Sequence, residues 1–180
     1  MKKIFIIIII FNLFTKVSAN YDQLAYDFTF KSLNRESIAL NNYKNKVLIV
    51  VNVASRCGFT NQYKDLQKIW SKYKDKGLVV IGVPTNNFKQ EPGSNDDIKE
   101  FCETNFGINF PIAKKIDVIG SNAHPFYKWA KKNYGIKATP KWNFHKIIIN
   151  KEGKVADSFG SITNPSSKKF IDFIEKQIKM

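Results

Sequence analysis

KVLIVVNVASRCGFTNQY, residues 46–63, sets the reading of the whole chain. Val47 to Val53 is an almost unbroken β-branched run, the pattern of a strand buried on both faces. Ala54-Ser55-Arg56 follows, then Cys57 and Gly58, and then a helical pattern. Phe59, Tyr63, Leu66, Trp70 and Tyr73 recur at spacings of four and three, which puts them on one apolar stripe of a helix. Cys57 thus falls where a central strand turns into a helix. At such a place the helix N-terminal amides, the dipole and the adjacent Arg56 favour thiolate over thiol. Many cysteines are merely small buried apolar residues. A polar Ser-Arg-Cys-Gly turn is a poor setting for that role.

Outward from this stretch, helices and strands alternate. Gly77 ends the first helix, and Leu78 to Val83 is a second buried strand closed by Pro84. Strand, crossover helix and strand make a right-handed parallel unit. Thr85 to Gly93 is a polar loop. Ser94 starts a helix with Asp97 completing a capping box, and Ile98, Phe101 and Cys102 form its apolar face. Phe110-Pro111-Ile112 is a short extended piece. Another helix starts near Asn122 to Pro125 and turns Phe126, Trp129 and Ala130 inward, and Tyr134 to Lys141 is loop. Phe144 to Asn150 and Lys154 to Phe159 form a hairpin turning at Lys151-Glu152-Gly153. Asn164-Pro165 starts a last helix with Phe170, Ile171, Ile174 and Ile178 as its stripe. Before the central stretch the pattern is weak, with a short hairpin of Asp27 to Lys31 and Glu36 to Leu40. The order predicts an α/β fold, a thioredoxin-like sandwich with a central mixed sheet flanked by helices. Thioredoxins usually carry a second cysteine three residues after the first. Thr60 stands there, which excludes dithiol exchange through C-x-x-C.

The chain has 180 residues, 43% of them hydrophobic, enough for one ordinary domain with a real core. Residues 1–19 stand apart from it. Lys2 and Lys3 give a basic start, Ile4 to Phe11 are apolar, and Val17-Ser18-Ala19 ends in small residues at the usual cleavage spacing. This predicts a signal peptide at 1–19, cleavage near Ala19, export to a periplasm or the exterior, and a mature domain of 20–180. The apolar run is short for a retained membrane anchor. The formal charge is +14, of which Lys2, Lys3 and Lys16 supply three, leaving +11 on the mature chain. The lysines are dispersed, with no basic run interleaved with aromatics, so the charge reads as solvated surface and not as a nucleic-acid site. Two cysteines permit a single disulfide, Cys57 with Cys102, either structural or a redox couple.

Four stretches, NVASRCGFT, PTNNFKQEPGSN, EFCETNFGINFP and KWNFHKIIINKEGKV, resemble the glutathione peroxidase family in the same order, and the similarity covers nearly all of the mature chain. The resemblance implies a thiol peroxidase that reduces hydrogen peroxide and organic hydroperoxides, with no cofactor or metal. It carries the peroxide-reducing role onto Cys57 and the rest of a catalytic tetrad onto Gln90, Trp142 and Asn143. The loop at Phe88-Lys89-Gln90 is one residue tighter than is common in the family, with Asn87 where glutamine is usual. Loop geometry therefore decides whether Gln90 reaches the sulfur. The segment YGIKATP lacks the long insertion that resembles a tetramer-forming loop, which favours a monomer. Cys102, in FCETNFG, looks like the resolving cysteine of the branch served by thioredoxin. That makes a thioredoxin-like dithiol protein the expected reductant ahead of glutathione.

Trp142 as a core aromatic, Gln90 as a loop residue and Cys102 as a core thiol are the bland alternatives. His124 and His145 lack partners at metal spacing, and surface or helix-start roles are expected for both. Two other functions share the fold. A redox relay would pass oxidation from Cys57 to a partner protein. A copper-binding assembly protein usually needs a C-x-x-x-C run and a histidine, and Cys57 has no such neighbour.

Overall fold

The structure is a computed structural model, and it describes residues 21–180, so the expected signal peptide lies outside the described residues. Its centre is the quoted stretch. β3, Val47–Val53, is buried at every position, as expected for a strand covered on both faces. β1, Thr29–Lys31, and β2, Ser37–Ala39, pair as the short antiparallel hairpin before it. β4, Leu78–Pro84, lies parallel to β3, and β5, Lys146–Ile149, lies antiparallel on its other side. β6, Val155–Phe159, completes a mixed four-stranded sheet of order β4-β3-β5-β6.

Alternation along the strands sends successive side chains to opposite faces, and each face has its own core. Leu48, Val50, Ile81 and Ile147 pack under α3, Pro125–Tyr134, and the N-terminal hairpin. Val47, Ile49, Val80 and Ile148 pack under three helices. These are α1, Gln62–Tyr73, α2, Asn95–Phe106, and α4, Lys168–Lys179. The result is the expected three-layer α/β sandwich. Each fully buried aliphatic side chain is worth about 1.5–3 kcal/mol relative to exposure, so β3 and β4, buried at every position, are costly to perturb.

The capping box at Ser94 and Asp97 forms as expected. Residues 111–113 hook onto Gly82 of β4 and Ser32, which joins the hairpin to the sheet and covers its edge.

Several expectations need correction. The helix after Cys57 begins at Gln62, because residues 57–61 fold as hydrogen-bonded turns, and Ile69 rather than Trp70 is buried beside Leu66. Tyr134 closes α3 and residues 135–138 form a 3-10 turn, so that segment is not all loop. The last helix starts at Lys168. Asn164 instead makes a turn, its side chain accepting from the Ser166 amide and donating to Asp65. Phe170 and Ile174 are its buried positions, with Phe173 and Ile178 beside them in place of Ile171.

His145 is not a surface residue. It is buried at the start of β5, where burial and the Lys146 ammonium push its imidazole down to about 4. His124 does take a helix-start role, its Nδ1 accepting from the Phe126 amide ahead of Pro125.

Candidate active site

The site is built where the carboxyl end of β3 meets two loops. Cys57 sits in the first turn beyond β3 and is 8% exposed. The turn is self-bonded. Thr60 N–H donates to the Cys57 carbonyl, Cys57 N–H donates to Thr60 Oγ1, and Thr60 Oγ1 donates to the Ala54 carbonyl. The Phe59 amide donates to Cys57 Sγ at 3.4 Å. One turn amide thus takes the place of the helix N-terminus that the sequence pattern suggested.

The second loop brings in Gln90. Arg56 N–H donates to the Gln90 carbonyl at 3.0 Å, directly beside Cys57. Glu91 secures the junction: its Oε2 accepts from both the amide and the hydroxyl of Ser55, while its own amide donates to Asn86 Oδ1. Burial raises the pKa of this carboxyl, and the Ser55 donors and the Lys115 and Arg56 charges oppose the rise. The contracted loop closes through Lys89, which adopts a left-handed φ of 57°. The shortened loop thus keeps the Gln90 backbone bonded to Arg56, the neighbour of Cys57 in the chain.

The third loop carries Trp142 and Asn143, and Asn52 of β3 secures it. Asn52 Nδ2 donates to the Trp142 carbonyl at 3.1 Å, and the Asn52 carbonyl accepts from the Phe144 amide at 2.6 Å. Phe144 is held at φ 63°, a costly backbone for a bulky residue, fixed by that bond and by edge packing on Tyr63. Asn143 Nδ2 donates to Gln90 Oε1 at 2.9 Å, and the Trp142 ring packs on Phe88. The two loops are thereby joined at the turn that bears Cys57. Gln90 Nε2, Trp142 Nε1 and the second Asn143 Nδ2 proton make no hydrogen bond among the described residues. Trp142 is half-exposed, so the site opens to solvent at its indole.

Cys102 lies apart from this cluster, on α2. It is fully buried, in the same core as Cys57, and both thiols are free. Burial pushes the Cys102 thiol up to about 11, although the Tyr63 hydroxyl beside it works the other way. Of the residues named by sequence reasoning, Cys57, Gln90, Trp142 and Asn143, the structure bonds the Asn143 side chain to that of Gln90 and the Gln90 backbone to Arg56, the residue before Cys57. It missed Asn52, Ser55, Thr60, Asn86 and Glu91. An asparagine inside an otherwise β-branched strand was the one available signal.

A nearly buried thiol at the carboxyl end of a parallel strand pair, accepting from a turn amide and flanked by two loops that bear neutral N–H donors, is the arrangement of a thiol enzyme on a thioredoxin-like fold. Residues 25–131 match the glutathione peroxidase family. Glutathione peroxidase-like peroxiredoxin 2 of Saccharomyces cerevisiae is 50% identical over 147 residues, covering 79% of this chain and 90% of that one. The crystal structure of Trgpx in its apo form shares 36% identity with a TM-score of 0.70, covering 88% of this chain and 97% of that one. A thioredoxin-family thiol:disulfide interchange protein of Chlorobium tepidum TLS shares the fold, with a TM-score of 0.63 at 17% identity over 84% of this chain and 92% of that one. The chain belongs to the glutathione peroxidase family, and it is a peroxidase.

Proposed function

We propose that the enzyme reduces hydrogen peroxide and organic hydroperoxides through Cys57, with Gln90, Trp142 and Asn143 as its donors. The Cys57 thiolate attacks one peroxide oxygen and the O–O bond breaks. Sulfur is oxidised to the sulfenic acid, and the other oxygen leaves with the electron pair and takes a proton, giving water or an alcohol. Fixed amide and indole N–H groups stabilise the charge as it moves from sulfur to the leaving oxygen. The Cys102 thiolate then attacks the sulfenic sulfur and the S–O bond breaks, forming a Cys57–Cys102 disulfide, while the oxygen leaves with its electron pair as hydroxide and takes a proton from solvent to become water. A thioredoxin-like dithiol protein opens that disulfide with one thiolate and clears the mixed intermediate with the other, becoming oxidised itself. Glutathione would need two separate encounters.

The observation that carries this reading is the set of unengaged donors on Gln90, Trp142 and Asn143 around the turn of a nearly buried thiol. Its test is Cys57→Ser. The variant should fold and lose peroxide reduction in a stopped-flow assay. Retained turnover would refute the assignment. The basic start, apolar run and Ala19 support export after cleavage, and N-terminal sequencing should then begin near Asn20; an intact Met1 would refute it, while the absence of a long insertion at YGIKATP supports a monomer.

A further inference from the structure

Lys146 is the first residue of β5 and is fully buried. Its ammonium donates to Gln62 Oε1 and to the Thr163 carbonyl, and no carboxylate pairs with it among the described residues. Gln62 Nε2 in turn donates to the Ser161 carbonyl at 2.6 Å. A lysine held in the core by neutral acceptors alone is an expensive choice, because the charge is desolvated without a counter-charge. Its location explains what such a choice does. Gln62 is the first residue of α1, and the Gln62 amide donates back to Phe59, inside the turn that holds Cys57. Lys146 itself follows Trp142, Asn143 and Phe144 along the chain.

We propose that Lys146 is a positioning residue for peroxide reduction, clasping the Cys57 turn, through Gln62, to the start of β5, directly after the loop that carries Trp142 and Asn143. This rests on the reading of Cys57 as the attacking thiol. The charge-assisted bonds to Gln62 and Thr163 weaken when the ammonium loses its proton, so the clasp is strongest in the protonated form.

Burial alone pushes Lys146 down to about 7, which places that loss near neutrality. The groups facing it are uncharged: Val51 across β3, Phe159 across β6, Gln62 of α1 and the Thr163 carbonyl. The adjacent His145 is the charged-or-neutral group its field reaches, and that imidazole is already neutral at pH 7. Gln90, Trp142 and Asn143 do not titrate, so a limb near neutrality has to come from outside the donor set.

The test compares wild type, Lys146→Met and Gln62→Glu. Two rates are followed from pH 5.5 to 9: that of reduced enzyme with hydrogen peroxide, and that of Cys57 alkylation by iodoacetamide, mapped by peptide mass. In the wild type, the peroxide rate should flatten or fall above pH 7. Lys146→Met should slow it about 10-fold or more and remove that limb. Gln62→Glu places a carboxylate on the ammonium and should move the limb upward by about one pH unit or more. A folded Lys146→Met variant with the wild-type rate and profile overturns the clasp. If Lys146→Met does not fold, an unmoved limb in Gln62→Glu overturns it. Alkylation consumes no peroxide. A profile altered in both variants, beside a wild type inert to peroxide, would sink the peroxidase reading and leave the clasp standing.

Discussion

At the scale of the residue, the chemistry divides between groups that hold charge and groups that hold position. Asn143 belongs to the first. Its Nδ2 donates one proton to Gln90 and leaves the other without a partner among the described residues, and the proposed function gives that proton to the peroxide. Asn143→Ala should slow the reaction of reduced enzyme with peroxide by about 10–1000-fold, the range for one lost donor. An unchanged second-order rate constant would make Asn143 structural. The buried bases also set how stability varies with pH. His145 titrates near 4 in the folded chain against about 6.5 unfolded, so its contribution is full above pH 6.5 and is lost as pH falls toward 4. Lys146 titrates near 7 against 10.5 unfolded, so the unfolded chain holds the extra proton between those values. Its contribution is present at high pH and is lost as pH falls to 7. Urea midpoints should therefore rise from pH 4 to 6.5 and again above 7, and Lys146→Met should flatten only the upper rise. A midpoint that falls between pH 7 and 9 only in the wild type would contradict the Lys146 part.

At the scale of the element, the proposed capture of Cys57 by Cys102 requires α2 to open. Cys102 lies on it at zero exposure, its carbonyl accepts from the Ile108 amide, and Gly107 in a left-handed conformation closes the helix. A disulfide needs Cα atoms about 4.4–6.8 Å apart with free approach of the sulfurs, which a thiol inside an intact helix does not offer. Opening the last turns of α2 exposes Cys102 and also removes the burial that holds its thiol up at about 11. Amide hydrogen exchange over residues 98–108 should be slow in the reduced enzyme and faster by about ten-fold or more after one equivalent of peroxide. Unchanged exchange there, together with a free Cys102, would make it a core residue only. The elements themselves were legible because their signals are local. β3 and β4 are β-branched runs, and the capping box at Ser94 is written in two residues. The turn at Cys57 was not legible, because Phe59 continues a helical spacing while Thr60 competes for the backbone through its own hydroxyl. The start of α4 was misplaced for a similar reason, since Asn164 bonds its own chain two residues on.

At the scale of the whole molecule, three segments far apart in sequence meet at one end of a mixed sheet. Cys57 stands out from its place after β3, whereas Gln90, Trp142 and Asn143 could be named as its candidate partners only through the family resemblance. Spacing alone does not put position 90 beside 143. What joins them is long-range: Arg56 to Gln90, Asn52 to Trp142 and Phe144, and Gln90 to Asn143. The strained backbones at Lys89 and Phe144, next to Gln90 and Asn143, are likewise invisible in a pattern of residue types. No helix among the described residues is long and apolar enough to cross a membrane. The central claim is that Cys57 gives up electrons to a hydroperoxide and that Cys102 then captures it. The direct measurement is to add one equivalent of tert-butyl hydroperoxide to the reduced protein, block free thiols, and map peptides by non-reducing mass spectrometry. The expected result is loss of about one peroxide per chain, with a Cys57–Cys102 linked peptide that a reduced thioredoxin-type protein erases faster than glutathione does. Peroxide left unconsumed, with both cysteines recovered as blocked free thiols, would contradict it.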